Sequence, residues 1–67
     1  MSQYENAARH YEKAASLDSK NIEAHFNLGS IYEQLDRVEL ACAAYETVKK
    51  LDPDNQIATE ALFRLKQ

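Results

Sequence analysis

The sequence predicts an all-α fold of about four antiparallel helices, and three observations support this prediction. Apolar residues recur at the three- and four-residue spacing of amphipathic helices along most of the chain. Hydrophobic residues make up 45% of the 67 residues, and many are alanine, the strongest helix former. No stretch alternates between apolar and polar residues as a half-buried strand would. We therefore predict helices at about 3–17, 22–34, 37–51 and 56–66.

Short polar segments separate these helices: "LDSKN", "QLDR" and "LDPDN". Asn21 and Asn55 are suitable N-caps for the second and fourth helices. Asp36 is predicted to cap the third helix, with Glu39 completing a capping box three residues later. Pro53 lacks an amide donor and is expected to end the third helix just before it.

Charge and composition exclude several classes of function. Eight basic and eleven acidic residues are spread along the chain and give a net charge of −3. No basic cluster is present to bind a nucleic-acid backbone. No apolar run is long enough for a membrane span. The single cysteine, Cys42, cannot form an internal disulfide, which favours a reducing compartment such as the cytoplasm.

The residues that could carry chemistry form no catalytic or metal-binding pattern. Neither His10 nor His25 has a second ligand three or four residues away on its helix. Cys42 lies among small residues in "ACAAY" and is interpreted as a packing residue. A single glycine rules out a glycine-rich phosphate loop. We expect no catalytic residues, no metal, no cofactor and no enzymatic activity.

The first helix and its following loop are repeated later in the chain. A shift of 34 residues places 4–21 on 38–55, with seven identities in eighteen positions. The identical pairs are Glu5 and Glu39, Ala7 and Ala41, Tyr11 and Tyr45, Glu12 and Glu46, Leu17 and Leu51, Asp18 and Asp52, and Asn21 and Asn55. A two-helix unit with this period indicates a repeat protein.

Residues 22–55 resemble one complete tetratricopeptide repeat. The positions that carry the resemblance are Leu28, Gly29, Tyr32, Ala41, Tyr45 and Pro53, with His25 in place of the usual tryptophan. The resemblance divides the chain into a second helix of a half-repeat at 1–21, a complete repeat at 22–55 and a C-terminal capping helix at 56–67. Phe63 supports the capping assignment because it falls where Gly29 falls in the preceding repeat.

Gly29, the only glycine, lies inside the predicted second helix, where it costs about 1 kcal/mol relative to alanine. A packing reason is therefore expected. We predict that Gly29 lets the second and third helices approach closely, with Ala41 as the small residue facing it.

Tetratricopeptide arrays bind peptides in a concave groove lined by the first helix of each pair, so the resemblance implies a non-catalytic protein–protein interaction module, such as part of a scaffold or adaptor. The partner would be a peptide or protein with apolar and basic residues. The second helix would contribute Glu23, Phe26, Asn27, Ser30, Glu33 and Gln34 to the groove, with Phe26 as an exposed aromatic. The fourth helix would contribute Ile57, Glu60, Ala61 and Arg64.

The alternative is a structural module that associates with copies of itself. Tyr4, Ala8, Tyr11 and Ala15 belong to a broad apolar stripe on the first helix. Such a stripe, if open, would favour a homo-oligomer through the first helices.

Overall fold

A computed structural model describes residues 3–67 as four α-helices without a strand in that range. The helices are α1 (Gln3–Leu17), α2 (Ile22–Gln34), α3 (Val38–Leu51) and α4 (Gln56–Leu65). Each helix packs against the next along the chain. The all-α prediction is confirmed, and the helix bounds differ from the predicted ones by one residue at two ends. Residues 1 and 2 of the predicted half-repeat lie outside the described residues.

The core is built from small and medium-sized side chains on the facing sides of the helices. Its members are Ala8, Leu28, Ile31, Tyr32, Ala41, Ala44, Tyr45, Val48, Ala58, Ala61 and Leu62. Val48 is fully buried. Because alanine is so frequent at these positions, the helix axes can approach closely, and the two buried tyrosines supply most of the aromatic volume.

Asn21 and Asn55 are the N-caps of α2 and α4, as predicted. The Asn21 side-chain oxygen accepts a hydrogen bond from the Ala24 amide at 3.1 Å. The Asn55 side-chain oxygen accepts one from the Ala58 amide at 2.9 Å. Both bonds satisfy an amide that has no partner within its own helix.

The turn between α2 and α3 differs from the prediction. Asp36 is not the N-cap of α3: Arg37 occupies that position and makes no side-chain capping bond. Asp36 instead has a φ of 62°, in the left-handed region. Its amide bonds to the Glu33 carbonyl at 3.0 Å, and the Arg37 amide bonds to the Tyr32 carbonyl at 2.8 Å. This pair of bonds is a Schellman motif that closes α2, with aspartate where glycine is usual.

One contact between neighbouring helices occurs twice with different donors. The Tyr32 hydroxyl of α2 donates to the Glu12 carboxylate of α1. One repeat later, the Lys66 ammonium donates to the Glu46 carboxylate of α3 at 2.9 Å. The acceptor is therefore the same residue type in both copies, and α4 contacts α3 at the same sequence register as α2 contacts α1.

Candidate functional site

The outward side of α2 carries four polar side chains in one stripe: Glu23, Asn27, Ser30 and Gln34. Asn27 is half-buried, and the other three are exposed. Helical spacing places all four on the side of α2 away from the buried Gly29 and Tyr32. Within residues 3–67 these four side chains make no hydrogen bond or ion pair to another part of the chain. Their polar groups are thus available to a partner.

Phe26 borders this stripe but is half-buried rather than exposed as predicted. Its ring meets the Tyr45 ring edge to face, with centroids 5.8 Å apart and planes at 79°. The position on α2 explains this burial, because residue 26 points between the outward stripe and α3. One side of the ring therefore belongs to the α2–α3 contact.

Gly29 makes room for an aromatic ring rather than for a small residue. A Cβ atom added to Gly29 would lie 2.8 Å from two atoms of the Tyr45 ring and 2.9 Å from a third. The prediction that Ala41 faces Gly29 is wrong. Close packing at Gly29 is confirmed, and the residue that requires it is Tyr45, which is 3% exposed.

Glu33 holds the far end of the same ring. The Tyr45 hydroxyl donates to Glu33 Oε2 at 2.6 Å. We call Phe26, Gly29 and Glu33 the tyrosine seat, since all three residues of α2 contact or accommodate Tyr45. The second carboxylate oxygen, Oε1, accepts a hydrogen bond from Arg64 of α4 at 2.5 Å. Glu33 thereby links α3 and α4 to the border of the outward stripe.

The two buried tyrosines hold their protons tightly. Burial, together with the hydrogen bond to Glu12, raises the pKa of Tyr32 to about 12. Burial and the bond to Glu33 raise the pKa of Tyr45 still further above its usual value. In both cases a phenolate would lose solvation and face a carboxylate, so the neutral form is favoured.

The groove-side residues of α4 are divided between surface and core. Glu60 and Arg64 are exposed, as is Ile57, which has 61% of its surface accessible. Ala61 is 3% exposed and belongs to the core, so its predicted place in the groove is wrong. Ala61 lies on the inner side of α4, in the same buried cluster as Ala58 and Leu62.

Comparison with known families now adds to this geometry. The family model described as TPR repeat matches residues 1–36, and the one described as Tetratricopeptide repeat matches residues 22–55. Each match covers more than half of the chain. The chain belongs to the tetratricopeptide-repeat family. A search of curated proteins finds no significant match.

Tetratricopeptide repeats are in general protein–protein interaction modules and typically non-catalytic. The second match coincides with the complete repeat predicted at 22–55. In this repeat α2 is the first helix of the pair and α3 the second. The tyrosine seat and the outward stripe therefore lie on the first helix of the tetratricopeptide pair.

The stripe predicted for self-association on α1 is only partly open. Ala8 is 6% exposed and packs in the core, so it is not available to a second copy. Tyr11 and Ala15 are half-buried, and Tyr4 is 48% exposed. The physical reason is that α2 packs against the part of the stripe that contains Ala8, and the edge that contains Tyr4 remains accessible.

Three residues of this tetratricopeptide chain remain as candidates for chemistry: His25, His10 and Cys42. The His25 ring, through Nε2, bonds the Ser19 carbonyl at 3.0 Å and so ties α2 to the preceding turn. His10 is exposed and meets the Tyr11 ring edge to face at 5.5 Å. Cys42 is half-buried. Residues 3–67 contain no group of three or more metal-ligating side chains, and none of the helices in that range could span a membrane.

Sequence reasoning missed the role of Glu33 as a shared acceptor. It placed Glu33 among the residues of the groove, whereas its side chain is 21% exposed and bonds Tyr45 and Arg64. The signal that could have revealed the contact is Tyr45 itself, because a buried tyrosine hydroxyl usually needs a hydrogen-bond partner.

Proposed function

We propose that the chain is a non-catalytic interaction module that binds a peptide or protein partner along the outward side of α2 and the adjacent side of α4. The binding residues are Glu23, Phe26, Asn27, Ser30, Glu33, Gln34, Ile57, Glu60 and Arg64. The partner segment is extended or helical and combines basic and apolar side chains. Such a module serves in a larger scaffold or adaptor.

The charge of this surface supports a basic partner and is the observation that carries the proposal. Glu23 and Glu60 are exposed and make no ion pair within residues 3–67. Arg64 is the basic residue proposed for the surface, and its charge is compensated by Glu33 at 2.5 Å. The surface therefore presents an excess of negative charge, which attracts lysine and arginine side chains.

Exposed apolar surface on the module supports the proposal that the partner also carries apolar side chains. Ile57 is 61% exposed, although it is a large aliphatic residue. Phe26 offers the side of its ring that does not touch Tyr45. An apolar side chain of the partner placed between them would bury both, at about 25 cal/mol per Å² of apolar surface removed from water.

A pair of labelled peptides tests the proposal. One alternates lysine and leucine, and the other has glutamate in place of every lysine. We expect fluorescence anisotropy to show that the lysine peptide binds and that the glutamate peptide does not. Binding should weaken as salt is added, because the attraction is electrostatic.

Matched variants assign the binding to this surface. Glu23→Gln with Glu60→Gln, and separately Phe26→Ala, should weaken binding of the lysine peptide. Glu39→Gln removes a charge from an exposed position on the outward side of α3 and should leave binding unchanged. If Glu39→Gln weakens binding as much per charge removed as the Glu23→Gln and Glu60→Gln pair, the attraction comes from net charge alone, and this surface is the wrong one.

A second candidate function is self-association through α1, and the exposure of its outer side favours it. Tyr4 is 48% exposed, while Tyr11 is half-buried. Sedimentation across protein concentrations separates the two candidates. A dimer that Tyr4→Glu dissociates without loss of helicity would support self-association, whereas a monomer at all concentrations would exclude it.

A further inference from the structure

Glu33 differs from the other glutamates that form ion pairs in this chain. Within residues 3–67 the ion-paired glutamates are Glu5, Glu33 and Glu46, whose side chains are 46%, 21% and 55% exposed. Glu33 is therefore the most buried of the three. Its carboxylate also makes a second bond, because Oε2 accepts the Tyr45 hydroxyl at 2.6 Å while Oε1 accepts Arg64.

The bond from Tyr45 fixes the orientation of the Glu33 carboxylate. Tyr45 is 3% exposed and its ring is enclosed by the tyrosine seat, so its hydroxyl has a fixed position. Oε2 is thereby committed to the contact between α2 and α3, and Oε1 is presented to Arg64 of α4. A carboxylate held in this way loses little further freedom when it binds a cation, and its partial burial strengthens the attraction.

Arg64, by contrast, is held only at the end of its side chain. The side chain is 61% exposed, and Glu33 Oε1 at 2.5 Å is the one hydrogen-bond acceptor of its guanidinium within residues 3–67. An ion pair made by a long, exposed side chain gains little net stability, because the ordering of that side chain offsets the attraction. The carboxylate is thus fixed, whereas the guanidinium bound to it is readily exchanged.

The register of Arg64 remains open even where helices pack on both sides. A shift of 34 residues places Arg64 on Ser30 of α2. Although α2 packs against both α1 and α3, Ser30 is exposed. A further helix packed on α4 in the same way would therefore leave Arg64 accessible. The accessibility of the pair formed by Glu33 and Arg64 is a property of the repeat.

We propose that Glu33 Oε1 is the subsite for an arginine side chain of the partner, and that Arg64 occupies this subsite in the free chain. This inference rests on the proposed function and specifies the side chain that the surface selects. The group already bound to Oε1 is a guanidinium, which is more weakly hydrated than an ammonium and so loses less on moving beside a partly buried carboxylate. When the partner binds, its arginine takes the bond to Oε1 and Arg64 turns into solvent.

This exchange keeps the carboxylate satisfied in both states. Tyr45 continues to donate to Oε2, so the contact between α2 and α3 is unchanged. Oε1 has a guanidinium donor before and after binding, and the partly buried charge is never left without a cation. Arg64 therefore acts as an internal competitor, and a partner that cannot replace it with an arginine of its own binds more weakly.

Removing the competitor tests the proposal. Fluorescence anisotropy compares a labelled peptide that alternates arginine and leucine with the lysine peptide described above. The matched control for Arg64→Gln is Lys66→Gln, which removes the same charge from α4 and frees the exposed Glu46 instead of Glu33. We expect Arg64→Gln to bind the arginine peptide about fivefold more tightly than Lys66→Gln does. The lysine peptide should gain less.

Two further substitutions assign this gain to the Glu33 carboxylate. Adding Glu33→Gln to Arg64→Gln should abolish the gain, because the acceptor loses its charge. Adding Tyr45→Phe should reduce the gain only while residue 33 is glutamate, because Tyr45 is a positioning residue that acts through the orientation of that carboxylate. Circular dichroism checks that each variant keeps its helices.

The Arg64 side chain gives a direct readout of the exchange. Its Nε–Hε signal in an NMR spectrum of the parent chain is assigned by its absence from the spectrum of Arg64→Gln. Addition of the arginine peptide should move this signal toward the position of an arginine in solvent. A signal that stays unchanged at saturation would contradict displacement of Arg64.

The outcomes separate this inference from the proposed function. If the parent chain binds the basic peptides but Arg64→Gln and Lys66→Gln bind them equally, the inference is overturned and the proposed function is not. An equal gain with and without the Glu33 carboxylate also overturns the inference alone. If neither the parent chain nor Arg64→Gln binds a basic peptide, the proposed function is wrong and the inference fails with it.

Discussion

Replacing Gly29 with alanine sets helix propensity against packing, and the structure decides which effect is larger. Alanine inside a helix is favoured over glycine by about 1 kcal/mol. The added Cβ would lie 2.8 Å from the Tyr45 ring, well below ordinary van der Waals contact. Overpacking of this kind costs about 1–3 kcal/mol. The cost applies in full only if the ring cannot move away.

Burial, a hydrogen bond and a ring contact restrict the movement of the Tyr45 ring. Tyr45 is 3% exposed, its hydroxyl bonds Glu33 at 2.6 Å, and its ring lies against Phe26. Shifting the ring by a few tenths of an ångström strains all of them at once. Because the ring is held in place, the overpacking cost lies in the upper part of its range, about 2–3 kcal/mol, and helix propensity offsets about 1 kcal/mol of it. We therefore expect Gly29→Ala to lower the free energy of unfolding by about 1–2 kcal/mol, and Gly29→Leu by more.

Thermal and urea unfolding followed by circular dichroism measure this effect. In a domain of this size 1 kcal/mol corresponds to a melting-temperature change of about 4–8 °C. A double-mutant cycle with Tyr45→Leu supplies the control, because leucine lacks atoms at the ring's ε and ζ positions. In that background Gly29→Ala should become neutral or stabilising. A Gly29→Ala protein as stable as the parent would refute the packing explanation.

Three further predictions concern pH and the helix ends. Tyr32 and Tyr45 are protonated in the folded chain above the ordinary tyrosine pKa of 10.0, so the folded state binds more protons than the unfolded state there. The contribution of these tyrosines to the free energy of unfolding is present below pH 10.0 and should fall as the pH rises toward about 12. Chemical denaturation across this range should show a smaller fall for Tyr32→Phe than for the parent chain. Asp36→Gly should raise the free energy of unfolding by about 0.5–1 kcal/mol, and with it the melting temperature, because glycine adopts the left-handed conformation without strain. A lower melting temperature than that of the parent chain would contradict this. Asn21→Ala and Asn55→Ala should each destabilise by about 0.5–2 kcal/mol in urea unfolding, and no change would mean that the caps are replaced by water.

The helix bounds could be predicted from the sequence because local chemistry determines them. Asn21 and Asn55 cap their helices through their own side chains, and Pro53 prevents α3 from continuing. Such signals need no knowledge of neighbouring helices. The repeat period added the helix order and the pairing of neighbours, because each repeat packs on the next.

The turn at Asp36 shows where local chemistry becomes ambiguous. Aspartate is suited both to an N-cap and to the left-handed position after a helix. The sequence pattern with Glu39 favoured the first role, whereas the chain uses the second. The two roles differ by one residue in the position at which α3 begins.

The errors in the candidate site have a common geometric cause. Helical spacing gives the angular order of residues around an axis but not the exact rotation of the helix against its neighbours. A small rotation places Phe26 against Tyr45, buries Ala61 and brings Tyr45 rather than Ala41 to Gly29. Ser30, at the centre of the outward stripe, is exposed, and the same rotation does not move it to another environment.

The pair Tyr32 and Lys66 shows how a repeated contact adapts to its surroundings. Both side chains occupy the same register and donate to the equivalent glutamate, Glu12 or Glu46. Tyr32 is 7% exposed because α3 also packs against α2, and a buried ammonium there would lose its hydration. Lys66 is exposed, and its bond to Glu46 raises its pKa, so the charged donor is well accommodated. The residue type at this register therefore reflects how deeply each copy of the position is buried within residues 3–67.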